Sequence, residues 1–138
     1  MQVRQIMSSP VVTVDAGATL RDAVGEMLER GVGSVIVVDA GPVGIVTRTD
    51  ALREAYRGDG SLSTVPVSRA MSRDLVTTTG KASVTSAVEE MKRRGVKRLP
   101  VRDGVELVGV VTVTDVAEHQ PQAVNEVRRH LGSGGWRG

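Results

Sequence analysis

The chain has 138 residues, 40% of them hydrophobic and 25% charged, and its 18 basic and 16 acidic side chains leave a formal charge of +2. That near balance argues against a dedicated nucleic-acid or membrane binder, which concentrates basic charge on one surface, and the lack of cysteine excludes disulfides, thiol chemistry and cysteine-held metal. With one Tyr, one Trp and no Phe, the core has to be built from Val, Leu, Ile, Ala and Met, and its Val content favours strands.

The opening "MQVRQIMSSPVVTVD" has no apolar stretch of the signal-peptide kind, and no run approaches a membrane span. The expectation is a cytoplasmic protein without a membrane partner. "PVVTVD" (10–15) reads as an extended segment. Leu20, Ala23, Val24, Met27 and Leu28 then recur at one face of a helix, with Thr19 as N-cap and Gly31 just past its end. Two strands follow, "SVIVV" and "VGIVT", with a tight turn at Gly41-Pro42. A helix carrying "DALREAY" starts inside the heptapeptide "GIVTRTD" (Gly44–Asp50). The Gly- and Ser-rich "YRGDGSLSTVP" (Tyr56–Pro66) reads as a linker.

After the linker the same order returns. "DLVTTT" is extended. A helix follows with Ser83 as cap, Val84, Ala87, Val88 and Met91 as its face, and Gly95 at its end. "RLPVR" and "LVGVVT" flank a turn at Asp103-Gly104, and a last helix carrying "DVAEH" starts inside "GVVTVTD" (Gly109–Asp115). Pro121 should break that helix, leaving a separate segment "QAVNEVRRHL" and a tail with Trp136.

This is an internal repeat. At a shift of 64, Met7 meets Met71, Ser8 meets Ser72, Ala23 meets Ala87, Met27 meets Met91 and Gly31 meets Gly95. One residue enters the second copy near Gly104–Leu107, after which the two heptapeptides align with five of seven positions identical. The reading is a first repeat at 1–57, a linker at 58–66, a second repeat at 67–120, and a C-terminal helix and flexible tail at 121–138. The fold class is α/β, of the α+β kind, with two β-α-β-β-α repeats. Neither repeat is large enough to bury its sheet and helices alone, so they are expected to pack on each other with pseudo-twofold symmetry.

Thr-x-x-Asp at a strand-to-helix junction forms a variant of the capping box, and Thr47/Asp50 and Thr112/Asp115 need do nothing more. The same geometry suits a phosphorylated ribose. A helix N-terminus offers free N–H groups to phosphate, threonine hydroxyls add donors, and a carboxylate in the first turn accepts hydrogen bonds from a cis-diol, as acidic residues do in dinucleotide folds.

The tandem β-α-β-β-α repeat, the Gly-x-x-Thr-x-Thr-Asp phrase closing each copy, and the strand "RLPVRD" (Arg98–Asp103), with "VIVVD" (Val35–Asp39) as its looser counterpart, resemble a pair of CBS domains, the regulatory modules named after cystathionine β-synthase. The resemblance covers roughly residues 3–118. It implies a disc-like module that binds adenosine derivatives in a cleft between the repeats. AMP is the first choice, with ADP, ATP, S-adenosylmethionine or NAD as alternatives. Magnesium would come only with nucleotide phosphates. It also implies a homodimer of two discs and an effector protein of unknown identity.

Carried over by position, Asp50 and Asp115 would bind ribose hydroxyls, and Thr47, Thr49, Thr112 and Thr114 would sit at the ribose–phosphate junction. Thr13-Val14 and Thr77-Thr78 would line the adenine, with Val35, Leu99 and Pro100 as aliphatic walls whose plainer reading is core. Lys97-Arg98 precede the central strand of the second copy, where the first has Gly33-Ser34. Charge-assisted bonds to phosphate favour the second copy, although the pair also reads as the solvated end of a basic helix, "MKRRGVKR". Arg48 is the one cation inside the first heptapeptide.

Catalysis is not expected. His119 and His130 are the only histidines, and neither a nucleophile–base pair, a zinc-ligand spacing nor a Walker A sequence is present. The rival function is a ligand-free structural module for dimerisation or interaction. A weaker one is nucleic-acid binding through "RRHLGSGGWRG".

Overall fold

The computed structural model describes residues 1–119. The break expected at Pro121 and the segment 121–138 lie outside the described residues. In chain order the elements are a 3-10 turn (Val3–Gln5), β1 (Thr13–Asp15), α1 (Leu20–Arg30), β2 (Ser34–Val38), β3 (Pro42–Thr47), α2 (Arg48–Arg57), α3 (Val67–Ala70), β4 (Thr78–Thr79), α4 (Val84–Arg94), β5 (Arg98–Asp103), β6 (Glu106–Thr112) and α5 (Val113–His119). The mixed α/β class and the doubled β-α-β-β-α order are those read from the sequence.

Local chemistry sets the helix limits. Thr19 and Asp22 form a full capping box: the Asp22 N–H donates to Thr19 Oγ1 at 3.2 Å, and the Thr19 N–H donates to Asp22 Oδ2 at 2.9 Å. Ser83 caps α4 through the Ser86 N–H at 3.0 Å. Gly31 and Gly95 close α1 and α4 in the left-handed conformation, with φ of 66° and 65°. The turn between β2 and β3 differs from expectation. Ala40 takes the left-handed position, at φ 59°, and Pro42 opens β3 opposite Val38, since the first residue of a strand can lack an N–H.

The chain forms two compact units. Among the described residues, one runs from Val12 to Leu75, and the other joins Met1–Val11 to residues 76–119. Each contains a three-stranded mixed sheet. In the first, β2 lies between a parallel β1 and an antiparallel β3. In the second, β5 lies between a parallel β4 and an antiparallel β6. Leu20, Ala23 and Met27 of α1 pack with Val35, Val37 and Val46 of the first sheet. Val84, Ala87, Val88 and Met91 of α4 pack with Leu99, Val101 and Val111 of the second. Of the apolar face expected on α1, Leu28 is 78% exposed.

The units divide the chain differently from the sequence repeats. The stretch leading into each repeat is built into the unit that holds the other repeat's sheet. Val3 and Ile6 are buried in the core with α4 and β5. Val65 and Val67 are buried in the core with α1 and β2, and Leu62 packs against it, so part of the segment read as linker is core. Equivalent backbone bonds hold both stretches. The Leu20 N–H donates to the Val65 carbonyl at 2.8 Å, and the Val84 N–H donates to the Met1 carbonyl at 2.9 Å. Ser72 exchanges two bonds with Ile45, and Ser8 exchanges two with Val110, all at 2.9–3.0 Å.

The first residue of each heptapeptide is explained by these stretches. A β-carbon on Gly44 would stand 2.7 Å from Met71 Sδ and 2.9 Å from the Ser72 carbonyl oxygen. On Gly109 it would stand 2.8 Å from Met7 Sδ and 2.7 Å from the Ser8 carbonyl oxygen. Only glycine lets the backbones approach this closely.

Candidate functional site

In the second unit, β6 ends at Thr112 and α5 begins at the next residue, so the heptapeptide is itself the strand-to-helix junction. The Thr112 N–H donates to Asp115 Oδ2 at 2.8 Å, and the Asp115 N–H donates to Thr112 Oγ1 at 3.1 Å. Both bonds are partly buried. The Val113 N–H donates to the Lys97 carbonyl at 2.8 Å, and Arg98 is the register partner of Thr112. These two backbone ties bring Lys97, Arg98, Thr112 and Asp115 to one corner of the sheet. The basic pair is not the end of a helix: α4 stops at Arg94, and Arg98 is the first residue of β5. The basic residues that do end α4 pair within it, Lys92 with Glu89 at 3.2 Å, and Arg93 and Arg94 with Glu90.

The other residues expected at this site lie further along the sheet or inside it. Thr78 pairs with Val101 on the far side of β5 from β6, and Thr77 just precedes β4, half-buried. Leu99 belongs to the core and Pro100 is also buried. Thr114 is exposed in the first turn of α5.

The first unit repeats the junction with different side chains around it. The Thr47 N–H donates to Asp50 Oδ2 at 2.9 Å, and the Asp50 N–H donates to Thr47 Oγ1 at 3.2 Å. The Thr47 hydroxyl also donates to Asp50 Oδ2, at 3.0 Å. The Arg48 N–H donates to the Gly33 carbonyl at 3.2 Å, and buried Ser34 is opposite Thr47 in the ladder. Thr49 is half-buried and Thr13 exposed, while Val14 and Val35 are core.

Two features here were not expected. Arg53 Nη1 donates to Asp50 Oδ1 at 3.2 Å. The sequence carries the signal, because the corresponding position in the second copy is Glu118. Arg48, counted among the nucleotide-binding candidates, lines a groove of about 390 Å³ between α1 and α2, together with Val24, Leu28, Ala51, Leu52 and Leu62. Leu28 and Leu52 are 78% and 70% exposed there.

Among the described residues, no group of His, Cys, Asp and Glu is arranged to hold a metal ion, and no helix is long and apolar enough to cross a membrane.

Comparison with known proteins gives a consistent family. The CBS domain family model matches residues 3–57 and again 67–121. The chain is 36% identical over 121 residues to the CBS domain-containing protein YhcV of Bacillus subtilis, covering 86% of this chain and 84% of that protein. A putative signal-transduction protein with CBS domains from Burkholderia ambifaria superimposes with a TM-score of 0.78 at 27% identity, covering 88% of this chain and 95% of the other. The CBS domain pair of protein MJ0100, solved in complex with 5′-methylthioadenosine and S-adenosyl-L-methionine, superimposes with a TM-score of 0.77 at 22% identity, covering 88% and 97%. Two matched repeats, each closing on the same capped strand-to-helix junction, make this chain a member of the CBS domain family, carrying a tandem CBS pair.

Proposed function

We propose that the chain is a non-catalytic regulatory module that binds an adenine nucleotide and passes its occupancy to a separate effector protein. The observation that carries this reading is the corner of the second unit, where Lys97 and Arg98 stand beside Thr112 and Asp115. Two cations, a hydroxyl and a carboxylate match the phosphate and the ribose diol of a nucleoside monophosphate. AMP is the ligand of choice, with ADP, ATP or S-adenosylmethionine as alternatives and magnesium arriving only on nucleotide phosphates. Thr77, Thr78, Leu99, Pro100 and Thr114 complete this site, and Thr13, Val14, Thr47, Thr49 and Asp50 form a weaker counterpart. That MJ0100 was solved with two adenosine compounds supports the choice of ligand class.

A change seen by another protein requires two arrangements with different affinity for the ligand. Assembly offers one such device. The open groove of α1 and α2, with exposed Leu28 and Leu52, suits a second copy of this chain, and a cytoplasmic homodimer is the assembly proposed. The rival reading, a ligand-free interaction module, draws on the capping boxes, which satisfy Asp50 and Asp115 in part without any ligand.

Thermal unfolding with AMP, ADP, ATP, S-adenosylmethionine and NAD separates the two. A specific ligand at about 100 times its Kd stabilises the fold by about 2.7 kcal/mol. Asp115→Ala should weaken binding about ten-fold or more, through loss of a charged acceptor, and more than Asp50→Ala. No shift with any of the five compounds favours the interaction module, and the opposite order of the two variants rejects the choice of site.

A further inference from the structure

The two heptapeptides are near-identical in sequence but not in the state of their carboxylates. Asp50 has both oxygens engaged: Oδ2 takes the Thr47 N–H and hydroxyl, and Oδ1 takes the Arg53 guanidinium at 3.2 Å. Asp115 uses Oδ2 for the Thr112 N–H, and no donor reaches its Oδ1 among the described residues. The residue three positions on is Glu118, which has no proton to offer as a carboxylate. Thr112 differs in the same sense. Its oxygen accepts from the Asp115 N–H at 3.1 Å, and its hydroxyl proton has no described acceptor, whereas the Thr47 hydroxyl is spent on Asp50.

A cis-diol presents two O–H donors, and a carboxylate receives both well only when its lone pairs are not already committed. We infer that Arg53 is a specificity-determining residue: it competes for the Asp50 carboxylate, lowers the first heptapeptide's affinity for a ribose diol, and thereby makes the two halves of the pair unequal. Glu118, at the equivalent position, cannot compete for Asp115 in this way. The inference rests on the adenine-nucleotide reading above. The Arg53–Asp50 pair has side-chain exposures of 47% and 17%, so the competition is graded rather than absolute. Release of such a partly exposed pair corresponds to a change in affinity of about two- to five-fold.

The test isolates each half in the full-length chain. AMP affinity is measured calorimetrically for Asp115→Ala, which leaves the first half, with and without Arg53→Gln. It is then measured for Asp50→Ala, which leaves the second, with and without Glu118→Arg. Circular dichroism confirms that each variant is folded. The expected result is that Arg53→Gln tightens AMP about two- to five-fold in the first background and that Glu118→Arg weakens it by a similar factor in the second. AMP binding that Arg53→Gln leaves unchanged or weakens in the first background overturns this inference and leaves the nucleotide reading standing. If the wild-type chain and both single variants bind no AMP, the inference and the AMP reading fall together.

Discussion

The sulfur of Met7 and the Cα of Gly109 are held so close that a β-carbon on the glycine would come within 2.8 Å of that sulfur. The Ser8 carbonyl oxygen, at 2.7 Å from the same point, cannot rotate away as a side chain can. Gly109→Ala should therefore force β6 and the N-terminal stretch apart, and Gly44→Ala should do the same to β3 and Met71-Ser72. Each should cost about 1–3 kcal/mol, the usual range for overpacking. Gly25, inside α1 with nothing within 4 Å of its β-carbon position, is the control: Gly25→Ala should stabilise by about 0.5–1 kcal/mol. Urea unfolding measures all three, and a neutral Gly109→Ala would show that the stretch is held loosely.

Val3 is buried in the core built by α4, β5 and β6. Val3→Ala removes two methyl groups at about 0.8 kcal/mol each and leaves a cavity, for a loss of about 1.5–3 kcal/mol. The unit that loosens should be the one containing residues 76–119, although the substitution lies ahead of the first repeat. Amide exchange should accelerate in β5 and β6 before it does in β2 and β3. Faster exchange confined to β2 and β3 would contradict the assignment of the N-terminal stretch.

Most of this architecture was legible as a sequence. Thr19, Ser83, Gly31 and Gly95 act through local bonds, so their residue types alone marked the helix ends. The heptapeptides were legible as capping boxes for the same reason. The lead-in stretches were not. The turn at Val3–Gln5 and the helix Val67–Ala70 are too short to show a periodicity, and Val3, Val65 and Val67 are ordered by tertiary contacts that no local pattern records. At the site, the strand register that sets Arg98 opposite Thr112 follows from the repeated strand pair, which the sequence shows twice. The groove that Arg48 lines was not legible, since a position in the heptapeptide does not tell whether a side chain turns toward the cap or toward α1. Arg53 lies outside the repeated phrase, so the motif itself carries no sign of its pairing with Asp50.

Leu52 stands in the open groove of the first unit where the second copy has Ala117, and Leu28 stands where it has Lys92. If this face seats a second copy, Leu52→Glu should shift the chain from dimer to monomer at micromolar concentration without loss of helix content. Sedimentation velocity with circular dichroism reads both quantities. An unchanged sedimentation coefficient removes the groove from the proposed dimer interface.

The Thr19 backbone N–H and hydroxyl hold the Asp22 carboxyl below its usual range. A carboxyl depressed in the folded state stabilises the fold at pH values above its unfolded pKa, and the contribution is lost as pH falls from roughly 4 through the folded value. Asp22→Asn should therefore flatten the acid limb of the stability profile below about pH 4 and leave the slope near neutrality unchanged. Thermal melts from pH 2.5 to 7 provide the comparison, and parallel acid limbs for the two proteins would remove this cap from the account.

The trade of lead-in stretches bears on how such a chain can arise. A lone repeat carries, at its own front end, a piece that fits a neighbour's core and lacks the piece its own core needs. Two separate copies could complete each other only by swapping those pieces, a low-cost route to a dimer. The tandem chain has the connectivity of such a swapped pair joined covalently, and one covalent chain can carry different side chains at equivalent positions of its halves, such as Arg53 and Glu118.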